Sequence, residues 1–240
     1  MSATLETKRQ SRGHVEALLI IAAVLLFFGS RIFLFQAFSI PSGAMEETLL
    51  VGDYLFVSKF AYGFSHYSLP FSPPLFSGRI WSAEPQRGDV VVFRLPKNDS
   101  IDYIKRVVGL PGDRVQMING LLHINGEPVK RQRIEGIVET NELGRSETIK
   151  RWQETLPNGV TYVTLERPIQ ELENTPIFEV PPEHYFMMGD NRDNSSDSRD
   201  PTGGVGYVPF ENLIGRAQMI FFSIRNGSEV RWERLFKVVR

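Results

Sequence analysis

The sequence predicts a mainly β body carried behind a single N-terminal transmembrane helix. Two observations point that way. Short apolar runs recur between turn residues from Tyr54 onward, with no long amphipathic helix among them. Ahead of them, Lys8, Arg9 and Arg12 precede an apolar stretch that runs from Ala17 to Phe28, resumes after Gly29-Ser30-Arg31 and ends at Phe38.

As one helix, residues 17–38 would be about 33 Å long, enough to cross a bilayer. The interior charge, Arg31, falls near the far end, where a long side chain reaches the headgroups. The basic flank predicts a cytoplasmic tail at 1–16 and a body, 39–240, on the opposite side. Ala37-Phe38-Ser39 leaves a second reading, a cleaved signal peptide. The apolar region exceeds the ~7–15 residues of an ordinary signal-peptide core, which favours an uncleaved anchor.

Beyond the anchor, Ile40-Pro41-Ser42-Gly43 is hostile to helix and predicts a turn or short extended segment. Tyr54 to Phe60 reads as a strand, and Ala61 to Ser82, rich in Pro, Ser, Gly and aromatics, as a long irregular loop. Val90 to Leu95 is a strongly apolar strand launched by Arg87-Gly88-Asp89. Ile101 to Val108 is the next, ended by Pro111-Gly112-Asp113. Val115 to Val129 predicts two strands around Asn119-Gly120, with a second turn at Asn125-Gly126. The more polar stretch from about 118 to 183 predicts a β-rich insertion or second lobe. Val180 to Met188 returns to strand, Gly189 to Gly206 is a polar loop, and Arg216 to Ile224 is the last core strand.

Composition excludes several functions. With 240 residues and a net charge of −1, the chain lacks the basic excess of a nucleic-acid binder. It has no cysteine, which removes disulfides, thiolate catalysis and Cys-based zinc sites. The four histidines are scattered, with no carboxylate at a telling spacing. Asp190, Asp193 and Asp197 suggest a calcium loop but lack its turn glycine and closing glutamate. Lys105, within Tyr103-Ile104-Lys105-Arg106-Val107-Val108, has two readings. Strand alternation favours a solvent-facing ammonium; burial would instead yield a neutral amine fit to act as a general base.

Four stretches carry a more specific signal: Ser39-Ile-Pro-Ser-Gly-Ala-Met-Glu-Glu-Thr-Leu, Arg87-Gly-Asp-Val-Val-Val-Phe, Asp102-Tyr-Ile-Lys-Arg-Val-Val-Gly-Leu-Pro-Gly-Asp and Met188-Gly-Asp-Asn-Arg-Asp-Asn-Ser-Ser-Asp-Ser-Arg. In this order, behind an anchor, they resemble the signature boxes of bacterial type I signal peptidases. The resemblance runs from about Val15 to Ile224. It implies a β-sheet Ser/Lys peptidase domain outside the cytoplasmic membrane, N-terminus inside, that cuts signal peptides from preproteins without metal or cofactor.

The resemblance also implies residue roles. The nucleophile position is 44, Lys105 is the general base, and Ser42 helps form the oxyanion hole with the backbone N–H of residue 44. Ser195 orients the lysine amine, and Arg106, Asp190, Asp197 and Arg199 brace the site. Phe38, Ile40, Met45, Leu49, Tyr103 and Ile104 line small apolar pockets for the −1 and −3 residues of a signal peptide. Ordinary core packing is the competing reading of those six.

Two positions depart from the pattern. Residue 44 is alanine where the family keeps its serine, so no acyl-enzyme can form there. An engineered Ser-to-Ala substitution, a natural protein that binds without cutting, and transfer of attack to Ser42 are the three explanations. Retention of the other catalytic positions favours the first. Glu47 stands where the family often has proline. Residue 44 follows Phe38 closely enough to lie within about 20 Å of the anchor's end, which ties the site to the bilayer surface. The aromatics of residues 62–81 suggest a loop that either dips into the outer leaflet or folds over the core.

Overall fold

The apolar run at Val90–Leu95 is buried on both faces, and the main sheet is built around it. The protein is described by a computed structural model covering residues 15–27, 29, 34–69, 71–140, 144, 146–168 and 172–240. In chain order, β1 (Phe35–Ser39), β2 (Asp53–Ser58), β3 (Val90–Leu95) and β4 (Asn98–Gly109) come first. Then follow β5 (Arg114–Ile118), β6 (Leu121–Ile124), β7 (Glu127–Pro128), β8 (Lys130–Thr140), β9 (Ser146–Thr155), β10 (Thr161–Glu166) and β11 (Phe178–Glu179). The chain closes with β12 (His184–Met188), β13 (Val208–Pro209), β14 (Leu213–Arg225) and β15 (Glu229–Val230).

The main sheet runs β1-β2-β14-β3-β4-β12-β13, with β15 added to β14, and its neighbours are antiparallel. Successive residues of β3 serve opposite cores. Val90 and Val92 pack with Ile40, Met45, Leu49, Leu55 and Val57, while Val91 and Phe93 pack with Tyr62, Val107, Tyr185 and Met187. That double burial is why the run is continuous rather than alternating. A third core, around Val108, Val115, Leu122, Ile124 and Phe186, joins the main sheet to the polar region. There the order β11-β5-β6-β7 makes one small sheet and β10-β9-β8 another. Both predicted hairpin turns form: Asn119 and Gly120 have φ of 48° and 72°, and Asn125 and Gly126 have 56° and 85°. Positive φ at both central residues is what a tight, strand-matched turn requires.

Residues 15–27 are helical and exposed. Among the described residues, no helix is long and apolar enough to cross a membrane. The basic flank at 8–12 and Arg31 lie outside the described residues. The end of the expected span takes a different form: Phe35–Ser39 is an edge strand paired from Phe35↔Ser58 to Ser39↔Tyr54. Its period-two alternation of exposed and half-buried positions suits a sheet edge better than a continuing helix. Of the strand expected over Val180 to Met188, only His184–Met188 forms, and a separate short strand lies just before it. Pro181 and Pro182 have no N–H for a ladder, so Phe178–Glu179 and His184–Met188 pair with different partners.

Candidate active site

Pro41 ends β1 and its extension, and Gly43–Met45 closes into a single 3₁₀ turn that buries Ala44 and Met45. Ser42 precedes the turn in extended conformation (φ −132°, ψ 155°), and its hydroxyl makes no capping bond. The loop after β12 grips this turn. The Asn191 N–H donates to the Ala44 carbonyl at 3.2 Å, and Asn191 Nδ2 donates to the Gly43 carbonyl at 3.0 Å. Gly189 fills the gap between: a Cβ there would come within 2.6 Å of the Ala44 carbonyl oxygen and overlap Ser195 Oγ. Absence of a side chain permits that approach. Ser195 Oγ is buried, with no hydrogen-bond partner among the described residues.

Lys105 pairs with Val91 across β3. On the other side of β4, Met188 pairs with Arg106, and the chain passes from there into Gly189. The alternation that would turn Lys105 to solvent fails, because β4 is buried continuously from Lys105 to Gly109. Val107 feeds one core and Val108 another, so both faces of this end are covered. Lys105 is 3% exposed, and its Nζ lies 5.5 Å from the centre of the Tyr103 ring. Among the described residues it makes no ion pair. Burial pushes its amine down to about 8, against the upward pull of Asp197 and Asp190.

Two buried ion pairs frame this ground. Arg106 Nε and Nη2 donate to Asp190 at 2.8 and 2.6 Å, and Thr48 Oγ1 adds a bond to Asp190 at 2.5 Å. Arg199 Nε and Nη2 donate to Asp197 at 2.9 and 2.8 Å, and the Gly189 N–H donates to Asp197 at 3.0 Å. Burial pushes the Asp197 carboxyl up, but Arg199 and these bonds outweigh it and hold it below the usual carboxylate range. The three aspartates of the possible calcium loop are thereby dispersed: Asp190 and Asp197 are committed to arginines, and Asp193 accepts the Arg167 N–H. Among the described residues, no group of three His, Asp or Glu is gathered for a metal.

The six apolar residues separate into two sets. Ile40, Met45 and Leu49 are core, with Phe38 and Ile104 at that core's margin. Tyr103 borders the opposite core, beneath Lys105. Sequence reasoning missed several partners. Thr48, Gly189 and Asn191 went unassigned although they sit inside the quoted boxes. Glu154, Tyr162 and Arg192 form a buried cluster, with Arg192 donating to both Glu154 oxygens and Tyr162 to Glu154. The Arg106 guanidinium lies 4.1 Å from the centre of the Tyr162 ring, which links this cluster to the Asp190 pair. Glu47 has φ +81°, a value closed to proline.

The chain is similar to known proteins over most of its length. A family model described as signal peptidase, peptidase S26, matches residues 13–222. A protein named signal peptidase I from Rickettsia canadensis (strain McKiel) is 45% identical over 204 residues, covering 81% of this chain and 74% of the relative. One of the same name from Rickettsia conorii (strain ATCC VR-613 / Malish 7) is 42% identical over 235 residues, covering 93% and 83%. The solved structure of a signal peptidase I from Enterococcus faecalis V583 matches with 25% identity and a TM-score of 0.33, over 56% of this chain and 97% of that one.

Proposed function

The chain belongs to the S26 signal peptidase family, and on that premise we propose that it is a membrane-anchored serine-type endopeptidase for signal peptides, disarmed at its nucleophile by Ala44. One observation carries the reading: Lys105 is buried without an ion pair among the described residues, and its amine titrates near 8 rather than in the ordinary lysine range. A lysine held this way is half neutral at mildly alkaline pH and can take a proton from a hydroxyl during attack. Serine at 44 would be that hydroxyl. Ser195, with its buried and unpartnered Oγ beside Gly189, supplies a hydrogen bond to orient the amine. The N–H of residue 44 and the Ser42 hydroxyl complete an oxyanion hole, and Arg106, Asp190, Asp197 and Arg199 brace the loop that carries Ser195. Phe38, Ile40, Met45, Leu49, Tyr103 and Ile104 shape the pockets for small −1 and −3 side chains.

The substrate is a preprotein held at a bilayer. The exposed apolar helix at residues 15–27 supports an anchor there. So does an apolar groove of about 800 Å³ lined by Leu34, Phe35, Phe56, Phe60, Met219 and Val238, where the chain leaves the N-terminal segment. Phe71, Leu75 and Trp81, exposed on the loop between β2 and β3, suit a second contact with lipid. The test compares this chain with Ala44→Ser, in lipid or detergent, on a precursor with an Ala-x-Ala cleavage site. Cleavage by the revertant alone supports a disarmed peptidase. Binding without cleavage by either moves the reading to a non-catalytic signal-peptide binder.

A further inference from the structure

Two consecutive acids follow the turn that carries residue 44, and both reach across to the polar region. Glu46 Oε2 accepts from Asn191 Nδ2 at 2.7 Å and from Arg167 Nη2 at 3.3 Å. Arg167, just after β10, also donates to Glu139 on β8 at 2.9 Å. Glu47 accepts from Arg151 on β9 at 2.8 Å while holding its positive φ. The Asn191 amide that bonds Glu46 is the same group that holds the Gly43 carbonyl at 3.0 Å, and Asn191 is fully buried. Among the described residues its Oδ1 has no hydrogen-bond partner, so there the amide is oriented from its nitrogen side.

We propose that Glu46 is a positioning residue: through Asn191 it fixes the Gly43–Met45 turn, and through Arg167 it ties that turn to the sheet β10-β9-β8. The inference rests on the peptidase reading of residue 44. Its physical basis is the shared amide. With the Glu46 carboxylate removed, Asn191 Nδ2 loses its shortest acceptor and, among the described residues, the Arg167 guanidinium is left with Glu139. The side chain is then free to turn its unpartnered Oδ1 toward Arg167, releasing the Gly43 carbonyl. The turn places the N–H of residue 44, an oxyanion donor, and a displacement of about an ångström at such a donor costs up to roughly a hundredfold in rate. Neither the signature boxes nor residue spacing mark this link, because Arg167 lies far from Glu46 in sequence.

The test has two arms. In the chain as it stands, hydrogen–deuterium exchange of the 43–46 amides should quicken in Glu46→Ala and in Arg167→Met while exchange in β14 is unchanged. In the Ala44→Ser background, Glu46→Ala should lower kcat by roughly ten- to a hundredfold with KM little altered. Glu46→Gln, which keeps an oxygen for Asn191, should recover most of that loss. Unchanged exchange at 43–46 in Glu46→Ala overturns the proposal whatever the activity. So does a loss of kcat that Glu46→Gln leaves unrepaired. Failure of Ala44→Ser itself to cleave counts against the peptidase reading, and the exchange arm still decides whether Glu46 holds the turn.

Discussion

Arg106 and Asp190 close a two-pronged ion pair at 2.8 and 2.6 Å with neither side chain reaching solvent. The guanidinium is used in full, since Nη1 donates to the Gly88 carbonyl at 2.7 Å. The pair therefore links β4, which carries Lys105, to the start of the loop that carries Ser195, and to Thr48 beyond the turn.

Removing one member strands the other. Arg106→Met leaves the Asp190 carboxylate buried without its counter-charge, and the expected loss is about 3–5 kcal/mol. Urea unfolding followed by tryptophan fluorescence reads it directly. A loss below about 1 kcal/mol would mean that water reaches the pair and that it does not brace the site.

Lys105 has a pH signature with a definite sign. Its folded value of about 8 lies below that of an unfolded lysine, about 10.4. Between those values the unfolded chain binds more protons, so stability rises with pH across that window; below about 8 the penalty of the buried ammonium is fully present. Lys59, also brought down to about 8 by burial, contributes in the same window. Lys105→Met should therefore reduce the rise in melting temperature from pH 8 to 10 and leave the Lys59 share. In the Ala44→Ser background, cleavage should increase through an apparent pKa near 8, as the amine becomes neutral. A flat profile from pH 7 to 9 would contradict the general-base role.

Gly189→Ala tests the crowding between the turn and Ser195. The added methyl overlaps Ser195 Oγ and presses on the Ala44 carbonyl. An overpacking cost of about 1–3 kcal/mol is expected, together with loss of activity in the Ala44→Ser background. Denaturation and cleavage assays on the same preparations separate the two effects. Unchanged activity would show that Ser195 has room to move.

Arg79 anchors the aromatic loop through main-chain carbonyls: Nε and Nη2 donate to Tyr62 and Gly63, and Nη1 donates to Phe210 and Leu213. Arg79→Ala removes these four bonds, although Tyr62 and Phe210 keep backbone N–H donors, and a loss of about 1–3 kcal/mol is expected. The loop should then be nicked faster by protease between residues 64 and 81, with β14 still protected. Equal nicking rates would show that Phe64 and Ile80, bridged to each other, hold the loop unaided.

Much of the sheet was legible because its strands are local objects. Val90 to Phe93 is apolar throughout and launched by a turn, so the strand follows from the sequence alone. The two Asn-Gly turns likewise carry their conformation in two residues. The site was less legible for a reason of scale. Glu154, Tyr162 and Arg192 meet only when β9, β10 and the loop after β12 are brought together, and each alone reads as a solvated polar group. Lys105 defeats the alternation rule because that rule assumes one wet face, and this end of β4 has none. Residues 35–38 read as the end of the anchor by hydropathy, and only the pairing of Phe35–Ser39 with β2 makes them a strand.

The Ser/Lys pairing is tested most directly by cleavage of an Ala-x-Ala precursor by Ala44→Ser and by Ala44→Ser with Lys105→Met, side by side in lipid. With Lys105 as the general base, the single variant cuts and the double variant does not. Cutting by the double variant, or none by the single variant while the precursor stays bound, would contradict a Ser/Lys peptidase disarmed at residue 44.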